Sequence, residues 1–178
     1  LGDGGAVITN DDDVAARVVA LHDHGRDATG DIVNWGLNSR LDNLQAAILD
    51  FRLRQYSAVL ERRRQLASLY RDALADVAEL ILPPGPAGDP DHYDVYQNYE
   101  IEAEDRVRLR EHLDKRGIGT LLPWGGKAVH QWPALNLSAS LPRTEALFER
   151  VLLLPMHAWL ADEEVHAVAE AVREFYGK

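Results

Sequence analysis

The chain has 178 residues, 46% hydrophobic and 27% charged, which fits one globular domain, or one and part of another, and excludes a disordered or fibrous chain. A net charge of −10 argues against nucleic-acid binding, which needs a basic face, and no apolar run approaches the ~20 residues of a membrane span. With no cysteine, disulfides and thiolate metal sites are excluded, and the composition fits a cytoplasmic protein.

In chain order, Ala6 to Thr9 read as a short strand after a glycine turn. Asn10 is the expected cap of a helix with an acidic first turn, Asp11-Asp12-Asp13, and an inner face of Val14, Val18 and Leu21. The stretch from His22 to Gly36 has few apolar residues and is long for a structureless loop, so it reads as functional or mobile. His22, Asp23 and His24 do not make a metal site, because they stand in one loop with no partner spacing nearby.

Trp35 to Phe51 begins as a polar loop and ends as a helix. Ser39 and Asp42 stand in the Ser-x-x-Asp relation of a capping box, so the helix starts at Ser39 or Asp42, and Leu41, Leu44, Ile48 and Phe51 form one apolar stripe. Asn38 and Arg40 then fall where the first turn leaves N–H groups unpaired and the dipole end is positive. That arrangement suits an oxyanion, most naturally phosphate. The same residues also read as an ordinary capped helix with a surface arginine. A second stripe, Leu49, Leu53, Tyr56 and Leu60, carries the pattern on toward Val77. An unbroken helix of roughly 36 residues would span roughly 54 Å, which leaves room for a kink or a break. Arg62-Arg63-Arg64 reads as a solvated helix face.

Pro83 to Pro90 is a loop by composition. Strands are expected at Val95–Ile101, Ile118–Leu122 and Val151–Leu154. Helices are expected from Asp105 to Arg116, closed by Gly117, and from Asp162 onward with Val165, Val168, Val172 and Phe175 buried. Strand alternating with helix places the chain in the α/β class, with a small α+β sandwich at its C-terminal side. Between the later strands, Trp124-Gly-Gly-Lys127-Ala-Val-His130-Gln131 suits a sugar: an indole against the apolar ring face, Lys127 and His130 on hydroxyls or diphosphate oxygens. The alternative is a surface loop anchored in the core by Trp124. His157, after Leu154-Pro155-Met156, reads as a hydrogen-bonded structural histidine.

The segment Gly36-Leu37-Asn38-Ser39-Arg40-Leu41-Asp42-Asn43-Leu44-Gln45-Ala46-Ala47 resembles Gly-Tyr-Asn-(Ser/Tyr)-Arg-x-x-x-x-Gln-Ala-Ala of the DegT/StrS-type (DegT/DnrJ/EryC/StrS) sugar aminotransferases. Gly2-Asp3-Gly4-Gly5-Ala6-Val7-Ile8-Thr9-Asn10, His24-Gly25-Arg26, Arg116-Gly117-Ile118-Gly119-Thr120 and Leu154-Pro155-Met156-His157 agree with the family in the same order, so the resemblance covers essentially the whole chain. It implies the C-terminal part of a fold-type I enzyme that uses pyridoxal 5'-phosphate (PLP). Residues 1–41 would end the large PLP-binding domain with a dimer-crossing loop, and 42–178 would form a long helix and the C-terminal small domain. It also implies that Asn38 and Arg40 reach across a homodimer with shared active sites to the PLP phosphate of the other subunit. The loop holding Trp124, Lys127 and His130 would lie over the substrate, and Trp35, beside the Gly-Leu-Asn motif, would be a further substrate contact. Leu37 stands where the family usually has Tyr, so no role for that ring carries over.

By resemblance, the complete protein transfers an amino group, from L-glutamate, to a keto-sugar nucleotide in deoxyamino-sugar biosynthesis. The lysine that holds PLP would lie a few residues before the Gly-Asp-Gly-Gly turn, hence before Leu1. Lys115, Lys127 and Lys178 are the lysines of this chain, and Lys127 alone sits in a site-like loop. The chain by itself is therefore expected to hold no catalytic residue and to be inactive. Two alternatives are a sugar dehydratase of the same family, with His in place of that Lys, and a non-catalytic half acting in binding or assembly.

Overall fold

The computed structural model describes residues 4–87 and 91–178, and the chain gathers into two compact units, residues 1–56 and 57–178. Gly2 and Asp3 of the glycine turn, and the end of the Pro83–Pro90 loop, lie outside the described residues. Among the described residues no helix is long and apolar enough to cross a membrane.

In the first unit, Ala6–Thr9 is not a strand: Val7 and Ile8 are exposed, with no ladder partner among the described residues. Alternation shows that a segment can be extended, but only a neighbour that takes its N–H and C=O groups makes it a strand. Helix α1 (Asp12–His22) is capped by Asp11 rather than Asn10, its carboxylate accepting from the N–H of Asp13 at 2.9 Å and of Val14 at 3.1 Å. The reason is local, since Thr9 Oγ1 already accepts from Asp11 N–H at 3.0 Å and holds the chain non-helical up to that residue. Val14 and Leu21 are exposed, Val18 is half-buried, and the buried residue of α1 is Ala20.

His22 to Gly36 is neither structureless nor loose. The chain doubles back as an antiparallel ribbon in which Leu37 N–H donates to Leu21 O at 2.7 Å, His24 N–H to Leu37 O at 2.9 Å and Ser39 N–H to His22 O at 2.9 Å. At its tip the Asp27 carboxylate accepts from Thr29 Oγ1 at 2.7 Å and from the N–H groups of Thr29 and Asp31 at 2.9 and 3.0 Å. These bonds, that of the Thr29 hydroxyl first, hold the Asp27 carboxyl below its ordinary pKa. The two arms touch at glycines: a Cβ on Gly36 would lie 2.0 Å from Gly25 N, and Gly25 itself has φ +81°. Helix α2 (Asn43–Leu53) then starts from Asp42, whose N–H donates to Gln45 Oε1 at 3.1 Å; the capping box is Asp42–Gln45, and Ser39 stays in the ribbon. Leu41, Leu44 and Phe51 are exposed, so the apolar stripe is real as a pattern but is not covered by the described residues of its own unit. The long helical pattern breaks at Arg54-Gln55, where Gln55 N–H closes a tight turn onto Arg52 O at 3.1 Å, although no glycine or proline marks the place.

The second unit is built on α3 (Tyr56–Leu74), which ends slightly short of Val77 and buries Leu66, Ala67, Tyr70 and Leu74 at helical spacing. The expected solvated face Arg62-Arg63-Arg64 is instead a row of half-buried clamps. Arg62 donates to Leu160 O at 2.6 Å, Arg63 to Tyr96 O and Gln97 O at 2.8 Å each, and Arg64 to Asp94 O and Pro86 O at 2.7 Å each. Loop carbonyls that no strand satisfies need donors, and a guanidinium supplies several in one plane. Strands β1 (Leu80–Ile81), β2 (Tyr99–Ala103) and β3 (Val151–Leu154) form an antiparallel sheet in the order β1-β2-β3, with Ile81 opposite Glu102 and Ile101 opposite Leu152. β1 is too short to show alternation, which hides it in the sequence. The expected strand at Val95 starts only at Tyr99, because Tyr96 is left-handed at φ 45° and its N–H is taken by Asp94 Oδ1 at 2.8 Å. The expected strand Ile118–Leu122 shrinks to one bridge, Leu121 to Leu153. Helices α4 (Arg106–Asp114), α5 (Pro142–Arg150) and α6 (Asp162–Phe175) complete the unit; in α6 Val165, Val168 and Val172 are buried as expected.

Tyr70, Tyr96 and Tyr99 stack at the centre of this core, with ring centroids 4.7 Å apart for Tyr70–Tyr99 and 6.5 Å for Tyr96–Tyr99. Burial pushes the phenols of Tyr70 and Tyr99 upward in pKa. Tyr70 donates to Pro155 O at 2.9 Å and Tyr96 to Pro84 O at 2.6 Å, whereas the buried Tyr99 hydroxyl has no partner among the described residues. Removing a hydroxyl costs about 1 kcal/mol when it is paired and little or nothing when it is not. Urea unfolding should therefore find Tyr70→Phe and Tyr96→Phe destabilised by about that much, and Tyr99→Phe as stable as the parent or more so.

Candidate cofactor and substrate sites

Asn38 and Arg40 do not sit on the first turn of a helix; they lie on the last arm of the ribbon, ahead of Asp42. Asn38 pairs with Asp23 across the ribbon as an isolated antiparallel bridge. Its Oδ1 accepts from Arg40 Nε at 3.1 Å, and Arg40 Nη1 reaches Asp23 Oδ1 at 3.3 Å. Three side chains that stand up to 17 positions apart in the sequence thus form one cluster with an exposed edge. Asp23 is the member that sequence reasoning missed. It was visible only as a failed metal ligand, and nothing in spacing shows that a hairpin folds it onto Arg40. The ion pair itself is part-exposed and adds little stability. Its effect is orientation: Nε and Nη1 are tied down, while Arg40 Nη2 and Asn38 Nδ2 have no partner among the described residues. Two open donors on one edge, one of them cationic, fit a phosphate group. Trp35, on the same ribbon, is 97% exposed.

In the second unit the loop after Leu121 is held at both flanks. Upstream, Leu121 and Leu153 exchange backbone hydrogen bonds at 2.9 and 3.2 Å. Then Trp124, Gly125 and Gly126 run left-handed at φ 51°, 69° and 78°, which throws the indole outward, 82% exposed. Trp124 is therefore not a core anchor. Lys127 Nζ lies 5.1 Å from the Trp132 ring centroid, a cation–π contact that sequence reading did not anticipate. His130, expected to face the substrate, turns inward instead: its side chain is 6% exposed and its Nε2 is 3.0 Å from Glu145 Oε1. The physical reason is that Glu145 stands at the start of α5, where its carboxylate also accepts from Leu141 N–H at 2.9 Å and so draws the imidazole in. The structure brings Trp124, Lys127 and Trp132 onto one loop and separates His130 from its exposed side. His157 is exposed, and it is its backbone carbonyl, not its ring, that takes the turn bond from Leu160 N–H at 3.0 Å.

The fold is that of the C-terminal part of an aminotransferase. The X-ray crystal structure of S. venezuelae DesV in complex with a ketimine intermediate matches with a TM-score of 0.85 and 35% identity, over 96% of this chain and 46% of that one. The chain belongs to the DegT/DnrJ/EryC1/StrS aminotransferase family, whose profile matches residues 1–173. It is 38% identical, over 98% of its length, to the dTDP-3-amino-3,4,6-trideoxy-alpha-D-glucose transaminase of Streptomyces venezuelae, covering 46% of that protein. It is 33% identical to a pleiotropic regulatory protein of Geobacillus stearothermophilus, over 98% of this chain and 48% of the relative. The chain thus spans about half the length of the curated relatives it matches.

Proposed function

We propose that the complete protein is a PLP-dependent aminotransferase that moves an amino group from L-glutamate to a keto-sugar nucleotide, as a cytoplasmic homodimer with shared active sites. The observation that carries this reading is family membership along residues 1–173 together with an Asn38–Arg40 cluster that keeps open donors for a phosphate. The similarity to transaminases favours amino transfer over the dehydratase alternative. In the complete protein, residues 1–41 close the large domain and 42–178 form the connecting helices and the small domain.

PLP, when bound, supplies the electron sink that lets an amino group leave one carbon and join another. The residues of this chain hold and orient. Arg40, steadied by Asp23 and Asn38, grips the cofactor phosphate of the partner subunit, and Asn38 Nδ2 adds a second donor. Trp124 offers an apolar face to the sugar or base and Lys127 meets a diphosphate oxygen; the exposed Trp35 of the ribbon is a separate candidate substrate contact. His130 acts through the loop it anchors.

Supplied with PLP and L-glutamate, the complete protein should convert its cofactor to the amino form, and a dTDP- or UDP-linked keto sugar should convert it back. This chain alone should do neither. Lys115, Lys127 and Lys178 are all solvent-exposed, without the enclosed setting that activates a lysine for such chemistry. Borohydride reduction in the presence of PLP should therefore leave none of the three stoichiometrically labelled. A full label on Lys127 would place the cofactor-holding lysine inside this chain and overturn the assignment.

A further inference from the structure

The His130–Glu145 pair lies apart from the groups proposed to touch cofactor or substrate, and its imidazole is almost wholly enclosed. The His130 side chain is 6% exposed, and Glu145 Oε1 receives both Leu141 N–H at 2.9 Å and His130 Nε2 at 3.0 Å. His130 Nδ1 is buried with no partner among the described residues, while Nε2 faces a carboxylate oxygen that can only accept. One carboxylate oxygen therefore joins the start of α5 to the far end of the loop that opens with Trp124. The near end is fixed independently, by the Leu121–Leu153 bridge. Between these two fixed points lie the left-handed Trp124-Gly125-Gly126 run, Lys127 over Trp132, and the buried Ala128, whose N–H donates to Gln131 Oε1 at 2.9 Å. Left-handed backbone at a tryptophan is costly and persists only where the flanks over-determine it.

We infer that Glu145 is a positioning residue: through His130 it locks the loop that displays Trp124 and Lys127, and so sets the affinity of the complete enzyme for its sugar-nucleotide substrate. The inference rests on the proposed substrate role of that loop. The carboxyl of Glu145 is held below its ordinary pKa, first by the Leu141 N–H and then by His130, as expected of an oxygen serving two donors.

The test uses the complete holoenzyme with Glu145→Ala, Glu145→Gln and Trp124→Ala, and two separate readouts. Trypsin cleavage after Lys127 reports loop order without reference to substrate, and steady-state kinetics report KM for the sugar nucleotide against the rate of the glutamate half-reaction. Glu145→Ala should speed cleavage at Lys127 about tenfold and raise the sugar-nucleotide KM about tenfold, with the glutamate half-reaction unchanged. Glu145→Gln keeps an acceptor oxygen for both donors and should restore both readouts to near wild type, which a charge effect or general destabilisation would not do. Trp124→Ala should raise KM without speeding cleavage. Unchanged cleavage in Glu145→Ala, alongside a raised KM in Trp124→Ala, would overturn the positioning role and leave the substrate role of the loop standing. Faster cleavage with unchanged KM in both alanine variants would overturn the inference from the other side, because the loop would then be ordered by Glu145 yet not be part of the substrate site.

Discussion

Complete chains lacking the cofactor-holding lysine, mixed in equal amounts with complete chains carrying Arg40→Ala and allowed to exchange subunits, should recover about a quarter of wild-type activity. About half the dimers are then mixed, and in each mixed dimer of two-fold symmetry one site carries both defects while the other carries neither. The expectation holds at PLP concentrations where each parent is nearly inactive. Arg40→Ala alone should weaken PLP binding by about 1.5–3 kcal/mol, the usual size of a hydrogen bond to a charged group. The geometry sharpens the experiment. Asp23 orients Arg40 from within the same chain, so Asp23→Asn should weaken PLP binding less than Arg40→Ala does and complement the lysine variant in the same pattern. If Arg40 served a site in its own chain, no mixed dimer would hold an intact site. Absence of recovery, with subunit exchange verified by mass, would reduce Asn38 and Arg40 to ribbon residues.

The second large effect is expected at a glycine. A Cβ on Gly36 would stand 2.0 Å from Gly25 N and 2.6 Å from His24 C, all backbone atoms that cannot swing aside. Gly36→Ala should therefore force the two arms of the ribbon apart, loosening the bridge that sets Asn38 and Arg40. We expect PLP affinity of the complete enzyme to fall at least as far as in Arg40→Ala, about tenfold or more. Hydrogen exchange at the amides of His24 and Leu37, which close the ribbon, should accelerate in parallel. Gly30→Ala is the control: Gly30 has φ +92° but nothing within 4 Å of a Cβ. It carries only a local conformational cost of about 1 kcal/mol at the tip and should leave PLP affinity unchanged. Equal losses in both variants would mean that backbone strain, and not the close approach of the arms, governs the site.

Some of this protein was determined by sequence alone. The helix from Asp162 and a helix start near Asp42 rest on interactions within a few residues, and periodicity and capping report such interactions directly, although the capping partner of Asp42 is Gln45 and not Ser39. Family membership was legible because its short motifs stand in one order along the chain. What only the tertiary structure decided is every feature that depends on a partner distant in the chain. Ala6–Thr9 and Ile118–Leu122 have strand-like composition, yet pairing is a property of two segments, and among the described residues one has no ladder while the other keeps a single bridge. Arg62-Arg63-Arg64 looked like a solvated stripe because nothing in sequence shows which carbonyls a loop leaves unpaired. The fifteen-odd residues from His22 to Gly36 looked like loose chain because their order comes from cross-ribbon hydrogen bonds and a glycine contact, neither of which has a period. The sites divide along the same line. Sequence supplied Asn38, Arg40, Trp124 and Lys127 as residue types suited to phosphate and sugar. Folding supplied Asp23 to aim the arginine and Glu145 to draw His130 inward, because side-chain orientation is set by whichever partner the fold brings within hydrogen-bonding reach.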